Sequence, residues 1–444
     1  MNKIDLTKGR ILSVLAKLSI PIMASSLLQL TYSLVDMLWV GKLGSSSVAS
    51  IGSSSFYIGL GYSINALVVI GTATKVAHAI GKKHDNNAHK YINNGLFINF
   101  IIGLVYGLIL IFMGKNFISF LNIKDLKVAK DSYIYLAINA PILFLNFYNI
   151  LYSRIMGSFG DNNTPFKISA IGVILNIILD PIFIYGFDLG VAGAAIATLI
   201  ANMIMFLLYR IKNRCSFKYN KKLGIDIIYI RDIISIGLPM SFQRVLFTII
   251  NIFLARIIGS FGESAIAAQK IGLQVESITY MIIGGLHGAI SSFTGQNYGA
   301  KKYSRIREGY KTSLFLGIGY SIIMSFIFIF WNEPIIRLFV DEKDTIIIAK
   351  EYLKVVAYSQ LFSTIETMSN GLFTGLGLSK IPAIISILFT ALRIPMAIIF
   401  SRYYGVNGVW ISIALSSILK GIIALLVSCI KLRKENKYVK YIEK

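Results

Sequence analysis

The chain is short of cysteine, histidine and acid: 444 residues include only 2 Cys, 4 His and 21 Asp plus Glu. Cys215 lies in a basic link and Cys429 near the end of the last apolar run, so neither a disulfide framework nor a Cys/His metal spacing is present. There is no GxxxxGK[ST] segment, so direct drive by ATP is not expected. A membrane-embedded enzyme would need a catalytic His, Cys or metal cluster. His78, His84 and His89 lie in or beside one basic link and His287 stands alone in an apolar stretch, so neither catalysis nor a cofactor is expected. The roughly 10-residue alternating strands of a membrane barrel are also missing. Against the few acids stand 44 Lys plus Arg, for a net charge of +23. That excess would suit a nucleic-acid binder, but the bases cluster in short links between apolar spans. This is the distribution of a polytopic membrane protein with its basic loops held inside, where they can also meet anionic lipid headgroups. No nucleic-acid partner is expected.

Apolar residue types, by contrast, make up 55% of the chain, with a mean hydropathy of +0.68. Runs of about 20 apolar residues, each able to cross some 30 Å of hydrocarbon, recur from residue 11 to residue 430 and number about twelve. The expected fold is an all-α polytopic membrane protein. Lys3, Lys8 and Arg10 before the first run, with Ala24-Ser25-Ser26 within it, imitate a signal peptide. The run continues to Val40 without a polar break and is read as an uncleaved first helix. The basic links after spans 2, 6 and 8 and the basic tail share one side if both termini are cytoplasmic. The third link, with Lys115, Lys124, Lys127 and Lys130, is the exception.

The chain repeats itself in order. LSIPIMASSLLQL, from Leu18, resembles ISIGLPMSFQRVL, from Ile234. VGKLGSSSVASIG resembles IGSFGESAIAAQKIG, and GVAGAAIATLIA resembles GVNGVWISIAL. The offset of about 215–218 residues implies two six-span halves, related by a pseudo-twofold axis along the membrane normal, with a cleft between the lobes. The expected division is an N-lobe at 1–213, a basic cytoplasmic linker at 214–231, a C-lobe at 232–431 and a basic tail at 432–444.

A carboxylate within a spanning helix is a candidate functional group. Asp36 lies five or six residues before the outer end of the first span and Asp180 about as far from that of the fifth. Asn176 is one turn from Asp180 on the same face. Thr198 and Tyr135 reach a similar depth from spans six and four. These groups offer only oxygen donors, suited to a proton or a hard cation such as Na⁺. Pro181 frees the carbonyl of Ile177 and opens the backbone beside Asp180. Pro21 is the candidate hinge of the first helix, and Gln29 a further candidate to line the cavity. The second half is different: Glu276 and Glu366 are matched there by Arg244 and Arg393. These four, with Gln243, are possible C-lobe polar contacts, read either as buried ion pairs or as substrate contacts.

IPIMASSLLQLTYSLVDMLWVGKLG, NIILDPIFI followed by GVAGAAIATLIAN, and GSFGDNNTP with its repeat GLGLSKIP resemble the multidrug and toxic compound extrusion (MATE) family, in particular its DinF-like branch. The resemblance covers nearly the whole chain. It implies a cation-coupled multidrug exporter of the cell membrane, using H⁺ or Na⁺, with a twelve-helix, two-lobed fold. The family's N-lobe cation site falls on Asp36, Asn176, Asp180 and Thr198, with Tyr135 beside them. Another branch has an acid in helix 7, where this chain has Gln243. The expected partners are the bilayer and a small drug-like substrate, and the expected state is a monomer. The rival reading is a flippase for a lipid-linked precursor, whose pyrophosphate would want Arg244 and Arg393.

Overall fold

A computed structural model describes residues 4–43, 45–121, 125–212, 219–220 and 223–442. Cys215 and much of the expected linker lie outside them. Among the described residues the chain is helical throughout, with no strand. Helices α1 (Ile11–Gly41), α2 (Ser45–Gly81), α3 (Asp85–Phe120), α4 (Leu126–Ser158), α5 (Asn163–Pro181) and α6 (Gly190–Lys212) form the first half. A single π-helical turn, Ile182–Gly186, follows α5. The second half comprises α7 (Ile227–Gly259), α8 (Glu263–Gly299), α9 (Tyr303–Phe330), the short α10 (Asn332–Ile336), α11 (Lys343–Gly375), α12 (Lys380–Ala391), α13 (Arg393–Tyr404) and α14 (Val406–Ile442).

Among the described residues, ten helical segments are long and apolar enough to cross a membrane, counting α12 and α13 as one. Helices α8 and α11 are as long, at 37 and 33 residues, but carry more polar and charged residues along their length. Glu276 and Glu366 are among those residues and are buried. Large apolar side chains such as Phe112, Phe315 and Ile323 stand exposed, as a hydrocarbon solvent permits.

Contacts divide the chain into two units. One comprises Met1–Asp5 and Ala24–Ser241, the other Leu6–Met23 and Phe242–Lys444. The division passes inside α1 and α7, two residues after Pro21 and two after Pro239. Neither proline ends its helix. The early part of α7 therefore packs with the first half of the chain, and glycine makes that packing possible. A Cβ at Gly71 of α2 would run into the carbonyl of Ile233, and one at Gly237 into the carbonyl of Leu67. Backbone thus meets backbone where the two helices cross. Lys75 and Asp232 pair at 2.7 Å beside this crossing, and Tyr91 donates to the same carboxylate. Asn93 donates to the Gly224 carbonyl and accepts from the Asn220 amide, fastening the chain ahead of α7. Gly237→Ala should lower the melting temperature of the detergent-purified protein, the loss being about 3 kcal/mol or more because no side chain can yield there. An unchanged melting temperature would mean that the helices cross less closely than described.

The second unit uses the start of the chain in the same way. Leu6 is fully buried, its amide donates to Gln296 and its carbonyl accepts from Asn297. Gly285 of α8 lies against Met23 and the carbonyl of Ser19.

Candidate functional site

The first unit gathers the polar residues of α1, α4, α5 and α6. The site begins at the N-terminal turn of α5, where the Asp161 carboxylate accepts from the Thr164 amide at 3.0 Å and the Thr164 hydroxyl at 2.8 Å. From that anchored turn α5 runs to Asp180, which is fully buried. Asn176, one turn earlier, donates through Nδ2 to Asp180 Oδ1 at 2.8 Å. The other carboxylate oxygen, Oδ2, is buried without a hydrogen-bond partner among the described residues. A buried acceptor left in this way costs about 1–3 kcal/mol, or more when charged. That cost disappears if a proton or a cation binds there.

The helix changes form beside this group. Pro181 ends α5, and the π-helical turn carries the chain on, with the Phe187 amide donating to the Ile182 carbonyl. Such turns are found where a regular helix has been locally opened. Gly193 of α6 seats the neighbouring helix against the turn, since a Cβ there would stand 2.5 Å from the Phe183 carbonyl oxygen.

Asp36 enters from α1 and is half-buried. It lies close enough to Asp180 for the two charges to interact, and Tyr135 of α4 lies within electrostatic reach of both. Thr198 of α6 shares a 3.2 Å hydrogen bond with the Tyr32 hydroxyl and donates to the Ala194 carbonyl at 3.0 Å. Tyr32 in turn lies within electrostatic reach of Asp36, Tyr135 and Asp180, so the five residues assigned to one depth from sequence are neighbours in space. Tyr32 joins them and was overlooked, although it stands four residues before Asp36 on the same helix face, the spacing that linked Asn176 to Asp180. Asn139, Asn149 and Asn202 are also buried nearby in sequence, and Asn202 donates to the Thr198 carbonyl at 2.9 Å. Gln29 is exposed on α1, and among the described residues it makes no hydrogen bond to this group.

The second unit holds a different arrangement. Glu366 of α11 pairs with Lys420 of α14 at 3.0 Å, both nearly inaccessible. Glu276 of α8 accepts from the Tyr352 hydroxyl. Arg393, at the start of α13, donates to Ser416 at 2.6 Å and Ser417 at 3.0 Å, within electrostatic reach of both glutamates. The expected match of two acids by Arg244 and Arg393 is thus corrected in part: the direct partner of Glu366 is Lys420, while Arg244 makes no ion pair among the described residues. Arg393 is buried against the Phe247 ring, which its guanidinium faces at 5.9 Å. Gln243 Oε1 is buried without a hydrogen-bond partner among the described residues.

Comparison with known proteins follows the same two halves. The MatE family model matches residues 21–182 and 239–399. The chain is 27% identical to the probable multidrug resistance protein YpnP of Bacillus subtilis, the match covering 96% of each chain. It is 28% identical to the multidrug export protein MepA of Staphylococcus aureus, over 95% of this chain and 94% of that one. In fold it superimposes on a MOP superfamily transporter from Pyrococcus furiosus with a TM-score of 0.92, covering 98% of this chain and 99% of that one at 22% identity. The matched blocks hold Asp36 and Asp180 in one half and Glu276, Glu366 and Arg393 in the other, and the chain belongs to the MatE family of multidrug and toxic compound extrusion proteins.

Proposed function

We propose that this protein is a cation-coupled antiporter of the cell membrane that exports lipophilic, often cationic compounds by alternating access. Its coupling ion, H⁺ or Na⁺, is taken up at Asp36, Asn176, Asp180 and Thr198. The observation that carries this reading is the buried, unpartnered Oδ2 of Asp180 next to a second carboxylate in a layer of hydroxyl and amide groups. Two like charges at low dielectric repel. An arriving ion removes that repulsion, fills the vacant acceptor position and changes the balance of packing around α1 and α5. Export driven in this way needs no nucleotide. The names of the relatives, multidrug resistance and multidrug export proteins, support the substrate class.

A flippase for a lipid-linked precursor is the competing reading. It would use Arg244 and Arg393 on a pyrophosphate, but Arg393 is buried and already donates to Ser416 and Ser417. The deciding experiment measures efflux of a fluorescent lipophilic cation from vesicles containing the purified protein, with a Na⁺ gradient and a pH gradient imposed separately. Efflux that follows one gradient establishes the antiporter and names the ion. Efflux under neither, with translocation of a lipid-linked sugar, would replace it by the flippase.

A further inference from the structure

A groove in the first unit, formed by α3, α4 and α6, is not used by the proposed transport site. Its volume is about 420 Å³. Its wall is an aromatic ladder: Phe100 meets Phe144 at 5.8 Å between ring centroids, Phe144 meets Tyr148 at 5.5 Å, and Tyr148 meets Phe206 at 5.6 Å. Phe144 and Tyr148 stand four residues apart on α4, so the wall runs along the helix rather than around it. Tyr148 has its hydroxyl turned to the Leu96 carbonyl at 3.3 Å, which leaves its ring as the lining surface.

One end of this apolar channel carries a positive charge. Arg210, in the last turn of α6, lines the groove with its guanidinium 6.0 Å from the Phe206 ring centroid. It is exposed and pairs with no carboxylate among the described residues. Tyr219 covers the same end. The open flank of the wall suits hydrocarbon: Phe100 is exposed. The groove therefore offers, in order, a surface for a chain of methylenes, an aromatic floor and a fixed cation at the C-terminal end of α6. Basic pockets at helix ends with apolar walls select anionic lipids over neutral ones.

We propose that this groove is a binding site for an anionic phospholipid, one acyl chain lying along the Phe100–Phe206 ladder and the headgroup phosphate meeting Arg210. A phospholipid fits better than a soluble phosphate compound because the cation is at the end of an apolar channel that faces lipid. Arg210 already meets the Tyr152 hydroxyl in the groove wall, and the anion supplies the opposite charge that this neutral contact does not.

The test is native mass spectrometry of the delipidated protein after exposure to vesicles of phosphatidylglycerol or of phosphatidylcholine with the same acyl chains. One phosphatidylglycerol should be retained in preference to phosphatidylcholine. Arg210→Gln should reduce that retention about tenfold, the scale of one charge-assisted contact. Lys212→Gln, two residues further along the chain and outside the groove, should leave it unchanged. Phe100→Ser, on the exposed flank, should also weaken it. Both Arg210 and Phe100 are exposed, so these variants should keep the melting temperature of the wild type. Equal retention of the two lipids, or equal losses from Arg210→Gln and Lys212→Gln, would overturn the site. Retention insensitive to Phe100→Ser would overturn the acyl channel. Each outcome can be read whether or not the antiport mechanism holds.

Discussion

Asp36→Asn should bring gradient-driven efflux down by up to about a hundredfold, the span of a lost coupling free energy of 1–3 kcal/mol. It should leave the protein folded and still able to bind the drug. The reasoning rests on what each member of the group does. Asp180 already has one oxygen occupied by Asn176, and its other oxygen is buried and vacant. Asp36, half-buried, supplies the second charge that makes binding of a cation or proton favourable there. An amide keeps the size and loses both the charge and the proton acceptor. Asp180→Asn should act in the same direction. Thr198→Val removes a neutral oxygen donor and its hydrogen bonds to Tyr32 and the Ala194 carbonyl but no charge, and should cost about fivefold. The measurement is efflux from vesicles under the effective gradient, with melting temperature as the control for folding. Full export by Asp36→Asn would end the proposed coupling.

Lys420→Met should cost about 3–5 kcal/mol of stability, because it strands Glu366 as a buried, unpaired carboxylate. The double variant Lys420→Met with Glu366→Gln should recover most of that loss. Together they make a cycle in which the two changes are strongly non-additive, as expected of side chains in direct contact. Thermal melts in detergent, with the two single variants as the other corners, measure the cycle. Additive losses would show that the pair does not hold the structure. Arg393 makes a useful contrast, since Ser416 and Ser417 bond it directly and its charge also reaches Glu276.

Most of the architecture was legible because hydrocarbon leaves a backbone few choices: each apolar run of sufficient length must be a helix. The helices extend beyond the runs, α2 from Ser45 to Gly81 and α3 from Asp85 to Phe120, since polar residues continue a helix once it leaves the bilayer. The interruption at Leu392 between α12 and α13 and the short α10 carried no hydropathy signal. At the site, equal depth was enough to group Asp36, Asn176, Asp180, Thr198 and Tyr135, because each lies at a countable distance from the end of its helix. Tyr32 carried the same signal and was passed over. Lys420 was another matter. Depth does not say which helices are neighbours, so the partner of Glu366 could not be chosen among Arg244, Arg393 and Lys420 from order along the chain. For the same reason the switch of α1 and α7 between units could not be read. Periodicity shows which face of a helix is buried, not what buries it.

That switch bears on how the chain is made. Residues 6–23 are synthesised early, yet the groups that enclose Leu6, Gln296 and Asn297, lie nearly 300 residues later. The first unit in turn waits for residues 227–241, which leave the ribosome only after its six helices and the linker. Insertion can proceed helix by helix, but the α2 surface at Gly71 stays uncovered until Ile233 and Gly237 arrive, and Leu6 stays unburied until Gln296 and Asn297 do. Long loop closures of this kind are slow, and unfilled helix surfaces persist while they are pending. A molecule divided at the linker would leave each fragment holding a half-helix that belongs to the other, so the two pieces would have to meet before either became stable.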